Sequence, residues 1–184
     1  MTPEELIKEE KELEEDKSIY PPFLVEEFRK GRAEKRLEKK TGKRTPYNPK
    51  NITDFLQVIR TIWVISNKEY QKRFWVRQEP PMLYGDNYME TMETFLGDAE
   101  GVLDTSDYAV EMTPKQREML EKFYNMMEDY EADPDSADDP GYGVNDAEII
   151  EDPKFAKCRE YAKLVYEELS GDDLDEWEAQ RQKR

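Results

Sequence analysis

The chain has 184 residues, 39% of them charged and 36% hydrophobic, so we expect one domain with extensions rather than two full domains. The net charge of −16 at pH 7 and the sequence pI of about 4.6 point away from nucleic acids and anionic membranes as direct partners. The 11 Tyr, 7 Phe, 3 Trp and 8 Met residues indicate a folded core and exclude a wholly disordered chain.

The first fifty residues predict two helices. The sequence TPEE at residues 2–5 has the pattern of a capping box with proline at the first helical position, and its helix should extend to about Asp16. A pair of prolines at residues 21–22 then interrupts the chain. A second helix is predicted over residues 23–41, and Gly42 should end it.

The charges of these two helices are opposite. Residues 1–16 carry eight acids and two bases, whereas residues 17–50 carry eleven bases and four acids. A hairpin in which the basic helix packs between the acidic helix and the rest of the protein would satisfy both the charges and the apolar residues. The sequence leaves a second arrangement open, a mobile arm that becomes ordered only on a partner.

Stronger helical periodicity begins after residue 50 and predicts the core. The expected helices lie at residues 52–65, 68–78, 88–103, from a second capping box at Thr113 onward, and from Pro153 to near Gly171. No segment alternates with the period of a β-strand. We therefore predict an all-α fold, with a bundle of about five core helices at 51–170, a two-helix extension at 1–50 and a helical or loose tail at 171–184.

The most acidic stretch, EDYEADPDSADD at residues 128–139, holds seven carboxylates and no basic residue. A calcium-binding EF-hand loop requires oxygen ligands at positions 1, 3 and 5, glycine at position 6 and glutamate at position 12. A loop that begins at Asp129 places Pro134 at the sixth position and Pro140 at the twelfth, and loops from Asp133 or Asp135 also fail. We therefore predict no dedicated metal site.

The lack of histidine limits the chemistry that the chain can perform. With no His and a single cysteine, the sequence cannot assemble a zinc site, a histidine-ligated di-iron site, or a Ser-His or Cys-His nucleophile. It also contains no phosphate-binding or dinucleotide-binding loop. Cys158 falls on the apolar face of its helix and is expected to be a small buried residue. We predict no enzyme activity, no catalytic residue and no cofactor.

The region from residue 128 to 152 is the best candidate for a binding surface. A connection of this length in a small domain is typical of a functional or disordered segment. Carboxylates pair with Lys and Arg, and rigid rings supply contact area, so we expect a basic protein partner. A solvated acidic loop that only keeps the protein soluble is the alternative. The predicted partner-binding residues are Glu128, Asp129, Tyr130, Glu131, Asp133, Asp135, Asp138, Asp139, Tyr142 and Asp146.

A second segment, KEYQKRFWVRQEPP at residues 68–81, mixes basic and aromatic residues, a composition that can stack on nucleic-acid bases. On a helix, Tyr70 and Phe74 lie one turn apart on the face that should meet the core. Arg73 and Arg77 also lie one turn apart, where they can pair with acids of neighbouring helices. Because the molecule as a whole repels phosphates, we favour a core helix with a structural ion-pair edge.

Four segments occur in succession along the chain: NKEYQKRFWVRQEPP, NYMETMETFLGDAEGVL, TPKQREMLEKFYNMMEDYE and DPKFAKCREYAKLVYEEL. Together they resemble small acidic immunity proteins of bacterial contact-dependent and polymorphic toxin systems. The resemblance covers about residues 52–170 and rests on helix order, charge and aromatic positions. It implies a protein that binds a cognate toxin domain, often a basic nuclease, and blocks its active site. The basic second helix is a departure from that pattern.

The leading hypothesis is a cytoplasmic immunity protein that occludes a basic toxin domain of nuclease type with its acidic surface. The first sixteen residues lack the basic and apolar regions of a signal peptide, and no apolar run is long enough to span a membrane. A phage or plasmid nucleic-acid mimic that inhibits a host DNA-binding or restriction-type protein is the first alternative. A structural or adaptor protein that uses residues 1–50 in a larger assembly is the second.

Overall fold

The computed structural model describes residues 2–44, 53–80, 86–104, 110–137 and 145–184, and only the backbone of residues 53 and 54. All regular secondary structure in these ranges is helical, which confirms the predicted all-α fold. In chain order the helices are α1 (Pro3–Ile19), α2 (Pro22–Thr41), α3 (Thr53–Ser66), α4 (Lys68–Tyr70) with a π-helical continuation (Gln71–Val76), α5 (Tyr88–Leu103), α6 (Pro114–Ala132), α7 (Asp146–Ile149), α8 (Pro153–Ser170) and α9 (Leu174–Gln182).

The chain divides into two compact units. The hairpin unit comprises Met1–Tyr47 and Ser170–Arg184, and the bundle unit comprises Asn48–Leu169. The C-terminal residues therefore group with the N-terminal helices. No helix in the described ranges has both the length and the apolar character that crossing a lipid bilayer requires.

In the hairpin unit, α1 and α2 run antiparallel and their opposite charges meet. Arg32 of α2 lies 2.6 Å from Asp16 of α1, and Arg36 pairs with Glu9 further from the turn. Near the turn, the rings of Tyr20 and Phe28 pack edge to face with their centroids 5.2 Å apart. The two helices therefore make the ion-paired contact that their charges favour.

Helix α9 and the residue Asp172 that precedes it satisfy backbone groups at the turn between α1 and α2. The Asp172 carboxylate accepts a hydrogen bond from Phe23 N at 3.0 Å, at the start of α2. Arg181 donates to Ser18 O at 3.0 Å, near the end of α1, while its guanidinium lies 4.6 Å from the Trp177 ring. Helix ends leave backbone groups without intrahelical partners, so these contacts explain why the tail is ordered here.

The predicted helix ends are confirmed where local sequence controls them. The capping boxes at Thr2 and Thr113 both form, with Glu5 and Gln116 as the reciprocal partners. Gly42 has a φ of 66° and Gly171 a φ of 80°, the left-handed conformation that glycine adopts at little cost.

Replacing Thr113 with alanine should lower the free energy of unfolding by about 1 kcal/mol, the usual cost of losing a helix N-cap. The Thr113 hydroxyl accepts from Gln116 N at 3.1 Å, and the Gln116 side chain accepts from Thr113 N at 2.9 Å. Urea denaturation followed by circular dichroism measures the change. Thr113→Ser is the matched control and should retain most of the stability. An equal loss in both variants would contradict the capping explanation.

Helix α3 forms the centre of the bundle unit. Val58, Ile62, Trp63, Val64 and Ile65 are all fully buried, so the second half of α3 is covered on every side. Its most extensive packing is against α5. This central position explains why the sequence of α3 is the most apolar of the predicted helices.

A cluster of aromatic rings positions the end of α6 against α5 and α8. The Tyr130 ring lies 5.4 Å from Phe155 and 6.3 Å from Tyr88, measured between ring centroids. Trp75 adds contacts at 6.0 Å with Tyr88 and 6.3 Å with Phe155. All four residues are at most 4% exposed, so this part of α6 is held rigidly.

The segment after α4 departs from the predicted regular helix. Arg77 N donates to Lys72 O at 3.1 Å and Glu79 N donates to Arg73 O at 3.0 Å, spacings of five and six residues that widen the helix. Gln78 follows with a φ of 50°. Tyr70 and Phe74 are nevertheless buried, as predicted, and Trp75 is buried with them.

The arginines of this segment pair locally. Arg73 lies 2.7 Å from Glu79, and Arg77 lies 3.6 Å from both Glu69 and Glu79. The prediction that they pair with acids of neighbouring helices is wrong, because the chain folds back beyond Arg77 and brings Glu79 within reach.

A buried polar network joins α3, the π-helical segment and α8. The Gln71 amide is fully buried and donates to Val64 O and Ile65 O, both at 2.8 Å. The Gln71 oxygen accepts from Arg159 at 3.1 Å, and Arg159 also donates to Ile150 O at 2.9 Å. Burial lowers the pKa of Arg159, and nearby Glu151 acts in the opposite direction.

Candidate functional site

The end of α6 concentrates negative charge where the helix itself is negative. Glu128, Asp129 and Glu131 lie in its last turns, and Asp133 is the C-cap residue. The last turn contains no basic residue. Unpaired carbonyl groups give a helix C-terminus a partial negative charge, so acids there raise the free energy of the folded state.

Two exposed acids lie near Tyr124, Glu128 on α6 and Glu100 on α5. Glu128 and Asp129 are exposed, and Tyr124 is half-buried between α5 and α6, with its ring centroid 6.5 Å from Phe95. The Tyr124 hydroxyl donates to Glu128 at 3.1 Å. Burial, the hydrogen bond to Glu128 and the charge of Glu100 on α5 together raise the pKa of Tyr124. We call Glu100, Tyr124, Glu128 and Asp129 the acidic surface.

Other predicted binding residues point into the bundle. Tyr130 is 4% exposed, and its hydroxyl donates to Asp152 at 2.8 Å. Its ring belongs to the aromatic core, so it cannot supply the exposed contact area that the sequence suggested. Glu131 accepts a hydrogen bond from the hydroxyl of buried Tyr88.

Asp146 is only partly exposed and lies at the start of α7. Burial raises the pKa of its carboxyl, a hydrogen bond from Tyr88 N lowers it, and the charge of Asp86 raises it further. Asp86 in turn accepts from the Tyr70 hydroxyl and lies 3.9 Å from Arg60. These two carboxylates thus interact with residues of the bundle itself.

The chain after α6 is held in a defined turn. The Asp133 carboxylate pairs with Lys154 and also accepts from Asp135 N at 2.9 Å. The hydrogen bond from Lys154 is the larger influence, and both contacts lower the pKa of Asp133. The Asp135 side chain remains exposed. Asp135 is therefore a further exposed acid, and it follows the acidic surface by a few residues along the chain.

Asp152 anchors this turn to α8. One carboxylate oxygen accepts from Tyr130 OH at 2.8 Å and from Ala137 N at 2.9 Å, and the other accepts from Lys154 N at 2.9 Å. Burial acts to raise the pKa of Asp152, but the hydrogen bonds from Ala137, Lys154 and Tyr130 outweigh it and lower the pKa. A single carboxylate thus caps α8 and holds residue 137.

Three predicted binding residues, Asp138, Asp139 and Tyr142, lie outside the described residues. Of the other seven, the structure leaves Glu128, Asp129 and Asp135 exposed and connects the remaining four to neighbouring groups.

Tyr124 was not identified from the sequence as a surface residue beside Glu128. The available signal was its spacing from Glu121 and Glu128, three residues before and four residues after, which puts all three on one side of a helix. A tyrosine flanked by acids on one helical face can stay partly exposed. Apolar periodicity alone does not reveal this.

The described residues contain no group of three or more His, Cys, Asp or Glu side chains arranged to hold a metal ion. Cys158 is 5% exposed, and burial raises its pKa to about 11, so the thiol stays protonated at neutral pH. Comparisons of the chain with protein-family models, curated proteins and solved structures find no match.

Proposed function

We propose that this protein is an inhibitor that binds a basic toxin domain of nuclease type through the acidic surface. The observation that carries the proposal is the group of exposed carboxylates at the C-terminal end of α6, where the helix dipole adds to their negative charge. As part of this proposal, the protein has no catalytic role and no cofactor and acts in the cytoplasm with its partner.

A basic partner would remove a repulsion that the free protein carries. In the described part of the chain no Lys or Arg pairs with Glu128 or Asp129, although Lys154 neutralises Asp133 nearby. Each acid near a helix C-terminus costs about 0.3–1 kcal/mol. A Lys or Arg side chain from a partner would convert that cost into attraction, so binding should be strongest at this point of the surface.

The ring of Tyr124 supplies a second interaction for a Lys or Arg side chain of the partner. A cation within about 6 Å of a tyrosine ring gains about 0.5–1 kcal/mol at an exposed site. An arginine can stack its planar guanidinium on such a ring and still pair with a carboxylate at the edge. Glu128 is already held at that edge by the Tyr124 hydroxyl, so little ordering would be needed on binding.

Occlusion is the simplest mechanism for inhibition by such a surface. A nuclease binds phosphates with a basic face, and carboxylates in the same positions would exclude the nucleic acid. Charge complementarity speeds encounter and weakens as salt is added, whereas buried contacts slow dissociation. The aromatic core that fixes the end of α6 keeps the acids in place without a partner.

The double variant Glu128→Gln and Asp129→Asn should bind the partner about tenfold more weakly, because two charge pairs worth about 0.5–1 kcal/mol each are lost. The same variant should be more stable than the wild type by about 0.5–1 kcal/mol, since the repulsion at the end of α6 disappears. Calorimetric titration against a basic nuclease-type toxin domain, and assays of that domain's inhibition, measure the first effect. Urea denaturation measures the second.

The matched control is Glu15→Gln with Glu160→Gln, which removes two exposed acids elsewhere and leaves the net charge equal to that of the double variant. It should bind and inhibit as the wild type does. Unchanged binding by the double variant would remove the acidic surface from the mechanism. Equal binding of several unrelated DNA-binding proteins would favour the nucleic-acid mimic instead.

A further inference from the structure

The outer half of the α1–α2 hairpin exposes apolar side chains. Leu6, Ile7 and Leu37 are 43%, 54% and 58% exposed, and they are half of the large exposed apolar residues in the described chain. Near the turn, in contrast, Ile19, Tyr20 and Leu24 are buried. Leu6 lies three residues before Glu9 on the stripe of α1 that faces α2, so even this seam is incompletely covered at its outer end.

The distribution of charge along the chain indicates which partner would cover these exposed apolar side chains. Residues 1–47 contain twelve acids and twelve bases, so they carry no net charge, whereas residues 48–169 carry a net charge of −14. The two signs are segregated within the hairpin, with acids on α1 and bases on α2. Residues 170–184 add a net charge of −2 to the hairpin unit, so two copies of this unit repel each other far less than two copies of the bundle unit do.

The segregation makes the hairpin complementary to itself. In a two-fold contact the same surface of each copy meets its counterpart, so α1 of one copy can lie along α2 of the other. Exposed Glu10 and Glu14 of α1, on the face of Ile7, would then meet exposed Lys30 and Lys40 of α2, on the face of Leu37. The exposed leucine and isoleucine side chains would be covered in the same contact.

We infer that the hairpin unit mediates self-association, with a second copy of this chain as its partner and with α1 packed against α2 of that copy. The inference is independent of the acidic surface, which lies in the bundle unit. It concerns a second interaction of the protein rather than the proposed inhibition.

Sedimentation velocity of the full chain over a range of concentrations tests the inference. The mass should rise from the 21.9 kDa of one chain to twice that value as concentration increases. The variant Ile7→Glu with Leu37→Lys, which follows the charge of each helix and leaves the net charge unchanged, should weaken the dimer by about tenfold or more. Leu164→Lys, at a leucine that is 53% exposed on α8, is the matched control and should have no effect.

Charge reversal supplies a test that does not depend on the stability of one variant. Lys30→Glu with Lys40→Glu, and separately Glu10→Lys with Glu14→Lys, should each lower self-association. A mixture of the two variants should restore it, because opposite charges then meet across the contact. A wild-type protein that stays monomeric, a loss equal to that of Leu164→Lys, or a mixture that fails to associate would overturn the inference.

Discussion

The variant Gln71→Ala should lose about 3–5 kcal/mol of the free energy of unfolding, one of the two largest effects expected in this protein. The substitution leaves Val64 O and Ile65 O at the end of α3 without their donor and opens a cavity in a fully buried site. It also removes an acceptor of Arg159, whose charge is then buried with fewer partners. Chemical denaturation with fluorescence of the buried tryptophans measures the loss.

The partner variant Arg159→Met should cost less, about 1–2 kcal/mol. Burial lowers the pKa of Arg159, because the buried charge is poorly solvated. Removing that charge recovers its desolvation cost, which offsets part of the loss of hydrogen bonds. Lys157→Ala, at an exposed neighbour on α8, is the control and should stay within about 0.5 kcal/mol of the wild type. If Arg159→Met proved as costly as Gln71→Ala, loss of the hydrogen bonds to the carbonyl groups of α3 would not be the main source of the destabilisation.

The second large effect is expected for Asp152→Ala, which should lower the free energy of unfolding by about 2–4 kcal/mol. The loss combines an N-cap worth about 1 kcal/mol with the hydrogen bonds to Tyr130 OH and Ala137 N. Asp152→Asn keeps an acceptor for the cap and should lose less. Asp135→Ala removes an exposed acid of the same turn and should change stability by no more than about 0.5 kcal/mol.

The contribution of Asp152 should depend on pH with a definite sign. Hydrogen bonds hold its pKa in the folded protein below the usual value of 3.8. A carboxyl with a lowered pKa stabilises the folded state above its unfolded pKa and loses that contribution as pH falls through the folded pKa. The stability difference between wild type and Asp152→Asn should therefore be constant near neutral pH and shrink below about pH 4. A difference that grew on acidification would contradict this account.

Removing acids at two nearby places should have opposite effects on the stability of the protein. Neutralising Glu128 and Asp129 should stabilise the protein and weaken partner binding, because these acids are repelled by the end of α6. Removing Asp152 should destabilise the protein and release residue 137 from α8. Comparing the two variants separates acids that could serve a partner from an acid that the fold itself requires.

Sequence alone predicted the helices and many of their ends, because those depend on near neighbours in the chain. Thr113 and Gln116 form their capping box within one turn, and Gly42 ends α2 with a left-handed conformation that glycine supplies locally. The burial of Cys158 and Phe74 also followed from helical periodicity. The opposite charges of α1 and α2 likewise favoured the ion pairs that join them.

Tertiary structure decided which acids in the stretch that begins at Glu128 are exposed and which form hydrogen bonds or ion pairs with neighbouring groups. Composition cannot distinguish Asp129 from Asp133, but Lys154 lies 21 residues along the chain and reaches only the second. The order of α9 depends on backbone groups of Ser18 and Phe23 more than 140 residues away. Each of these features rests on contacts between residues distant in sequence, whereas helix formation and capping are settled within a few residues, so only the latter could be read from the chain by itself.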